Sequence, residues 1–188
     1  MSIFKAPFFQ SPIYFCSRSR LDPHGVAEGE IEIRPLRKND SGLAQAFVQS
    51  MSANARYMRF FQVMSQLSPS LLERFVSVDG ERHIALAAVT SQNGISTMIG
   101  EARFIVKEIG HTADIAIAVS DRWQRRGLAR DLLGQLEAKA DSMGVQYFKG
   151  EMLPQNEAML GLVRACGYRV WQSASDCHVL QLSKRISL

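Results

Sequence analysis

Three strand-like runs follow one another almost without interruption: HIALAAVT from His83, STMIGEARFIVKE from Ser96 and TADIAIAVS from Thr112. The turns between them contain Asn93-Gly94 and Gly110, residue types that supply the backbone conformations a tight reversal needs. A chain with this centre is committed to a sheet, and connections so short make that sheet mostly antiparallel. Upstream, EIEIRP from Glu30 alternates as a first strand, with Ile31 and Ile33 on one face and Pro35 stopping it. Helical material follows. Asp40 is placed to cap a helix running to about Ser52, NARYMRFFQ carries Tyr57, Met58 and Phe61 at helical spacing, and Ser68 starts a short helix with Pro69 in its first turn. After the third central run come an amphipathic helix over residues 127–143, a strand over 146–153, a helix over 156–166 and two closing strands at 168–171 and 177–183. The expected class is α/β (α+β), a mixed, mostly antiparallel central sheet of about seven strands flanked by helices.

The chain has 188 residues, enough for one ordinary domain and too few for two. Residues 1–28 hold Pro7, Pro12 and Pro23 and no periodicity, so they read as an N-terminal extension to a domain over 29–188. Phe4, Phe8, Phe9, Tyr14 and Phe15 are too many aromatics for an ordinary disordered tail. That extension reads as a strap on the domain surface, a homodimer contact or a cover over a groove. Lys and Arg outnumber Asp and Glu by 22 to 18, but Lys5, Arg18 and Arg20 of the extension supply most of the excess. The body is nearly neutral and has no basic stripe interleaved with aromatics, so nucleic acid is not the expected partner. Cys16, Cys166 and Cys177 are odd in number and lack CxxC spacing, which points to a reducing compartment and no metal. No run of 18 apolar residues exists, and Lys5, Pro7, Gln10 and Pro12 break up the N-terminus; a cytoplasmic protein with no membrane partner is expected.

Within residues 127–143 the positions Leu128, Leu132, Leu133, Leu136 and Ala140 form one apolar stripe, and Gly144 closes the helix. Its start is unusual. The first-turn amides of a helix need acceptors, and Trp123, Gln124, Arg125, Arg126 and Gly127 offer no capping side chain. Either water or an anion meets them. The positive end of the helix dipole, the absence of a Cβ at Gly127 and the charges of Arg125, Arg126 and Arg130 favour the anion.

The run QRRGLA, from Gln124 to Ala129, has the form Q-x-x-G-x-A between a strand and a helix. It resembles the pyrophosphate loop of the GCN5-related N-acetyltransferases (GNAT). LPQNEAMLGLVRACGY, from Leu153 to Tyr168, is similar to that family's second signature, with Asn156 opening a helix and Gly167-Tyr168 ending it. The resemblance spans residues 30–183 and is greatest to the acetyltransferase domain of bacterial protein-lysine acetyltransferases, through NARYMRFF, ADIAIAV and NEAML. It implies an acetyl-CoA-dependent N-acetyltransferase that moves an acetyl group to a primary amine, on a protein lysine or a small molecule, by direct attack in a ternary complex. The other reading is a non-catalytic acyl-CoA-sensing module of the same fold. Gln124, Arg125, Arg126, Gly127, Leu128, Ala129 and Arg130 would then surround the diphosphate, and Ile117, Ala118 and Val119 would pair with the pantetheine arm. Asn156 contacts that arm, caps its helix, or does both. The Val119 amide would be the oxyanion donor.

On the third central strand Ile115, Ile117 and Val119 share one face, which leaves Asp114 with Ala116 and Ala118 on the other. The related lysine acetyltransferase domains carry a glutamate at this place, so the resemblance makes Asp114 the first candidate for general base, acting through water because it is shorter. The competing reading is an ion pair between Asp114 and Arg103. Glu101 and Glu151 are the reserve bases, and Glu101 is placed to pair with Arg103. Many relatives have a tyrosine as general acid where this chain has Val163. His24, His83, His111 and His178 carry no paired nucleophile.

Overall fold

The computed structural model describes residues 30–107 and 111–186; the N-terminal extension over residues 1–28 and the turn residue Gly110 lie outside the described residues. The elements in order are β1 (Ile31–Pro35), α1 (Ser41–Ser50), α2 (Ala53–Phe60), α3 (Pro69–Val76), β2 (His83–Gln92), β3 (Ile95–Val106), β4 (Thr112–Val119), α4 (Leu128–Ser142), β5 (Tyr147–Met152), α5 (Glu157–Ala165), β6 (Arg169–Gln172) and β7 (Leu180–Arg185). The expected seven-stranded mixed sheet is present, in the order β1-β2-β3-β4-β5-β7-β6. Every pairing is antiparallel except β4 with β5. That exception follows from connectivity: β4 and β5 are joined through α4, and a helix crossover brings the chain back in the same direction.

Alternation along the strands builds one core on each face. On one, Leu132, Leu133 and Leu136 of α4 and Val163 of α5 pack on Phe104, Ala113, Ile115, Phe148 and Leu182. On the other, Phe47 and Val48 of α1 and Phe75 of α3 cover Ala85, Ala87, Val89, Met98 and Ala118. The second core stops at β4. No residue of β5, β6 or β7 belongs to it, so the helical cover on that face spans only the N-terminal half of the sheet.

Local chemistry explains where boundaries depart from the sequence reading. Asp40 precedes α1 as expected, but its carboxylate does not cap the helix. It accepts instead from both Arg34 terminal nitrogens at 2.7 and 2.8 Å and from the Arg37 amide at 2.8 Å. It therefore locks β1 to the turn that follows. The last strand begins at Leu180 rather than Cys177, because the Asp176 carboxylate accepts from the His178 amide at 2.8 Å and keeps the chain turning there. Tyr168, closing the second signature, donates its hydroxyl to Glu137 of α4 at 2.9 Å, which fixes the end of α5 against α4.

Leu132 is fully buried at the centre of the first core. Leu132→Ala should lower stability by about 2–5 kcal/mol, read as a lower denaturation midpoint with an unchanged denaturant slope.

Candidate active site

The parallel ladder between β4 and β5 has three residue pairs, Thr112 with Tyr147, Ala113 with Phe148 and Asp114 with Lys149. Beyond them the strands part. Gly150 makes the last close approach: a Cβ there would stand 3.2 Å from a Leu182 methyl and 3.3 Å from the Ile115 side chain. The main-chain groups facing the gap can be assigned from the ladder on the other side. The Ser120 amide donates to the Ile99 carbonyl at 2.9 Å, and the Lys107 amide to the Thr112 carbonyl at 3.0 Å. Antiparallel strands alternate, so the even-numbered residues of β4 bond to β3 and the odd-numbered ones point the other way. Ile117 and Val119 thus turn their N–H and C=O groups toward the gap. The Val119 carbonyl is met by the Gln124 side-chain amide at 3.2 Å, which ties the loop after β4 back onto the strand end.

Two adjoining cavities occupy this gap. One, of about 760 Å³, runs along the starts of α4 and α5 and is lined by Val119, Gln124, Arg125, Gly127, Ala129 and Arg130 among others. The second, of about 610 Å³, opens on the sheet face that carries Asp114, Lys149 and Glu151. They share Met58, Arg59, Ile117, Asn156 and Met159 as walls.

The two helix starts in the first cavity differ. At α5, Asn156 caps its own helix, accepting from the Met159 amide at 3.1 Å. At α4 there is no side-chain cap, and among the described residues none accepts from the amides of Gly127, Leu128, Ala129 or Arg130. Gly127 has φ 87° and Arg125 φ 61°, so the turn is folded through left-handed conformations. That is routine for glycine and strained for other residues. Arg125 and Arg130 line the cavity. Arg126 lies over the Trp123 ring at 5.1 Å, and Leu128 buries its side chain in the core, leaving only its amide for the cavity. Uncapped amides at the positive end of a 15-residue helix, beside two arginines, can hold an anion.

The three candidate carboxylates separate. Asp114 and Glu151 both line the second cavity. The expected alternative for Asp114, an ion pair with Arg103, is corrected: its partner is Lys107, at 2.6 Å, with the two side chains 46% and 59% exposed. Arg103 is opposite Ala116 in the ladder and Asp114 opposite Ile105, so the two side chains stand a step apart along the strands. Hydrogen bonding and the charge of Asp114 raise the Lys107 pKa, and Glu151 adds attraction. Glu101 lines neither cavity. It is fully buried, with one oxygen 2.6 Å from Arg59 and the other 2.8 Å from Arg103. Burial works to raise its pKa, but the charges and hydrogen bonds of Arg103 and Arg59 outweigh it, and the carboxyl titrates below its ordinary value. A carboxylate so held is a poor proton acceptor.

What Glu101 holds is α2. That helix has no buried residue, yet its Met58 and Arg59 form walls of both cavities. Polar contacts fix it: Ser52 donates its amide and hydroxyl to Asp121 at 2.9 and 2.8 Å, Arg56 donates to the Met64 carbonyl at 2.7 Å, and Arg59 reaches Glu101. The stretch RYMRFF could line a groove or belong to the core. It is both, since Phe60 packs on the second core. Lys107 and Arg59 were not singled out from the sequence. Their sequence signal is slight, an arginine within a short helix and a lysine at a strand end. Val163, in place of the family's tyrosine, is wholly buried, and no described helix is long and apolar enough to cross a membrane.

The splayed parallel pair and the uncapped helix start bring a strand edge and an anion-binding helix terminus to one cleft. The family model described as the acetyltransferase (GNAT) domain matches residues 30–169, and the chain belongs to the GNAT family of acetyl-CoA-dependent N-acetyltransferases. It is similar to the acetyltransferase PA5475 of Pseudomonas aeruginosa, 26% identical over 136 residues that cover 72% of this chain and 73% of that protein. It is 31% identical over 153 residues to the acetyltransferase Pat of Mycolicibacterium smegmatis, covering 79% of this chain and 44% of Pat. The chain thus spans less than half the length of Pat. The crystal structure of the GNAT domain of S. lividans PAT superposes with a TM-score of 0.76 at 26% identity, covering 88% of this chain and 99% of that one.

Glu101→Gln should destabilise the protein by about 3–5 kcal/mol at neutral pH, because it leaves two arginines without their buried counter-charge. Since the folded pKa lies below the ordinary 4.5, this contribution is complete above that value and disappears as pH falls through the folded pKa. Chemical denaturation from pH 7 to 3 should show the gap between wild type and variant closing only at the acid end.

Proposed function

We propose that this chain acetylates a primary amine by direct attack on acetyl-CoA, with the cofactor in the first cavity and the amine arriving through the second. One observation carries the reading: the uncapped start of α4 and the unpaired edge of β4 face the same cavity. Acetyl-CoA has a diphosphate suited to the first and an amide-bearing arm suited to the second. The residues present fit the group. Gly127 to Arg130 would bind the diphosphate through their amides, with charge from Arg125 and Arg130. Arg126 would add long-range attraction from its seat on Trp123. Ile117 and Val119 would hydrogen-bond the arm, Ala118 setting their spacing. Asn156, its Oδ1 already used as a cap, retains its amide nitrogen for the arm. Once bound, the cofactor would supply an activated acyl group, and the Val119 amide would serve as oxyanion donor.

The acceptor needs a neutral amine, and an alkylammonium has a pKa of about 10.4. Asp114 and Glu151 stand at the second cavity, where both draw an ammonium in. Asp114 then takes the proton, directly or through a water. Its contact with Lys107 is an exposed ion pair, a weak interaction that an arriving ammonium displaces. With Glu101 clamped by two arginines, Glu151 is the reserve base. Val163 has no proton to give, so the departing thiolate is protonated from solvent.

Two variants test this. Gly127→Val places a branched side chain at a positive-φ turn over the amides and should raise the dissociation constant for CoA by tenfold or more in calorimetry, on the order of the 1.4 kcal/mol or more that such a factor represents; an unchanged constant removes the diphosphate assignment. Asp114→Asn should lower kcat about 100-fold while CoA affinity stays put. If kcat holds in Asp114→Asn and falls in Glu151→Gln, the base is Glu151.

A further inference from the structure

The sheet face around the second cavity carries an arrangement that amine transfer alone does not require. The helices α1 to α3 cover this face only as far as β4, because their core ends at Ala118. Beyond it no described residue of the second core covers β5, β7 or β6. Strand register sets their outward side chains in rows. One row runs from Asp114 through Lys149 and Ser183 to Arg169, and Tyr147 stands opposite Arg185 in the next. Lys149, Arg169 and Arg185 are exposed, and no ion pair joins any of them to another described residue. Among them sit large apolar side chains open to solvent: Trp171 at 45% exposure and Tyr147 at 38%. Asp114 and Glu151, the acids of this face, line the second cavity together with Lys107, Lys149 and Trp171, whereas Arg169 and Arg185 do not line it.

Resting on the proposed function, we infer that this bare face docks a polypeptide acceptor, and that the enzyme selects a lysine flanked by acidic residues. The ammonium goes to the acids at the cavity, while Arg185 and Arg169, two and three strands from Asp114 and outside the cavity lining, would attract carboxylates along the chain that carries it. Strands lie about 4.8 Å apart and an extended chain advances about 3.4 Å per residue, so Arg169 at three strands from Asp114 corresponds to roughly four residues from the target. The exposed Trp171 and Tyr147 supply the apolar contact that a peptide, rather than a free small amine, can cover. A nucleic acid would also answer the basic charges, but it offers no alkylamine to the acids beside them.

The test uses the full chain and three ten-residue peptides: one lysine flanked by glutamates within four positions, one flanked by arginines, and the glutamate peptide with arginine in place of its lysine. Free lysine serves as a small acceptor. The glutamate peptide should have a KM at least tenfold below that of the arginine peptide. Arg169→Glu with Arg185→Glu should erase or invert that ratio, with turnover of free lysine unchanged. The lysine-free glutamate peptide should quench Trp171 fluorescence, a signal lost in Trp171→Phe and independent of turnover. Equal KM values for the two peptides, with free lysine still acetylated, overturn the inference and leave the proposed function standing. Acetylation of no amine at all, with CoA bound normally, removes both. A dimer in sedimentation that the charge reversals dissociate, or an RNA oligonucleotide that displaces the peptide, assigns the face to a different occupant and also overturns it.

Discussion

The site depends on the early end of one ladder. Had β4 and β5 paired along their whole lengths, the groups of Ile117 and Val119 would be consumed by β5, and no strand-like ligand could enter the sheet. Pairing stops after Asp114 instead, and the freed edge lies in the direction of the α4 start. Because α4 is also the crossover that makes β4 and β5 parallel, a single connection creates both halves of the site: a main-chain edge and a helix terminus at the carboxyl end of the same strand.

Arginine serves opposite ends in this molecule. Arg59 and Arg103 are turned inward on Glu101, where desolvation makes the charges costly unless each has a partner. The guanidinium remains charged in proteins, so Glu101 stays ionised and the cluster acts as a clamp on α2. Arg125 and Arg130 face a cavity instead, adding to a helix dipole that lacks its cap. The first pair fixes a wall; the second leaves attraction available for a ligand. The same division separates the carboxylates, with Glu101 buried between two arginines and Asp114 and Glu151 at the cavity, Asp114 in an exposed pair with Lys107.

Much of this was legible in the sequence. The alternating runs, their turn residues and the apolar stripe of α4 predicted the seven strands and the main helices, since each depends on local periodicity. The uncapped α4 start was legible as well, because the absence of Ser, Thr, Asn or Asp before Leu128 is a property of neighbouring residues. The errors lay where a side chain had a choice of partners. Asp40 turned from its helix to Arg34, and Asp114 took Lys107 rather than Arg103, each because the fold brought a cation nearer than the local pattern indicates. Residues 1–28, read as an extension, lie outside the described residues.

By itself, then, the sequence determined what short-range forces dictate: the strands, the α4 amphipathicity, the glycine at the loop and the motifs that mark the family. Only tertiary structure decided the rest. The point where β4 and β5 part, the burial of Glu101 between two arginines and the bare basic face beyond β4 arise from contacts between residues far apart in the chain. Coulombic and hydrogen-bond partners are chosen by distance in space, and that distance is set once the sheet has closed.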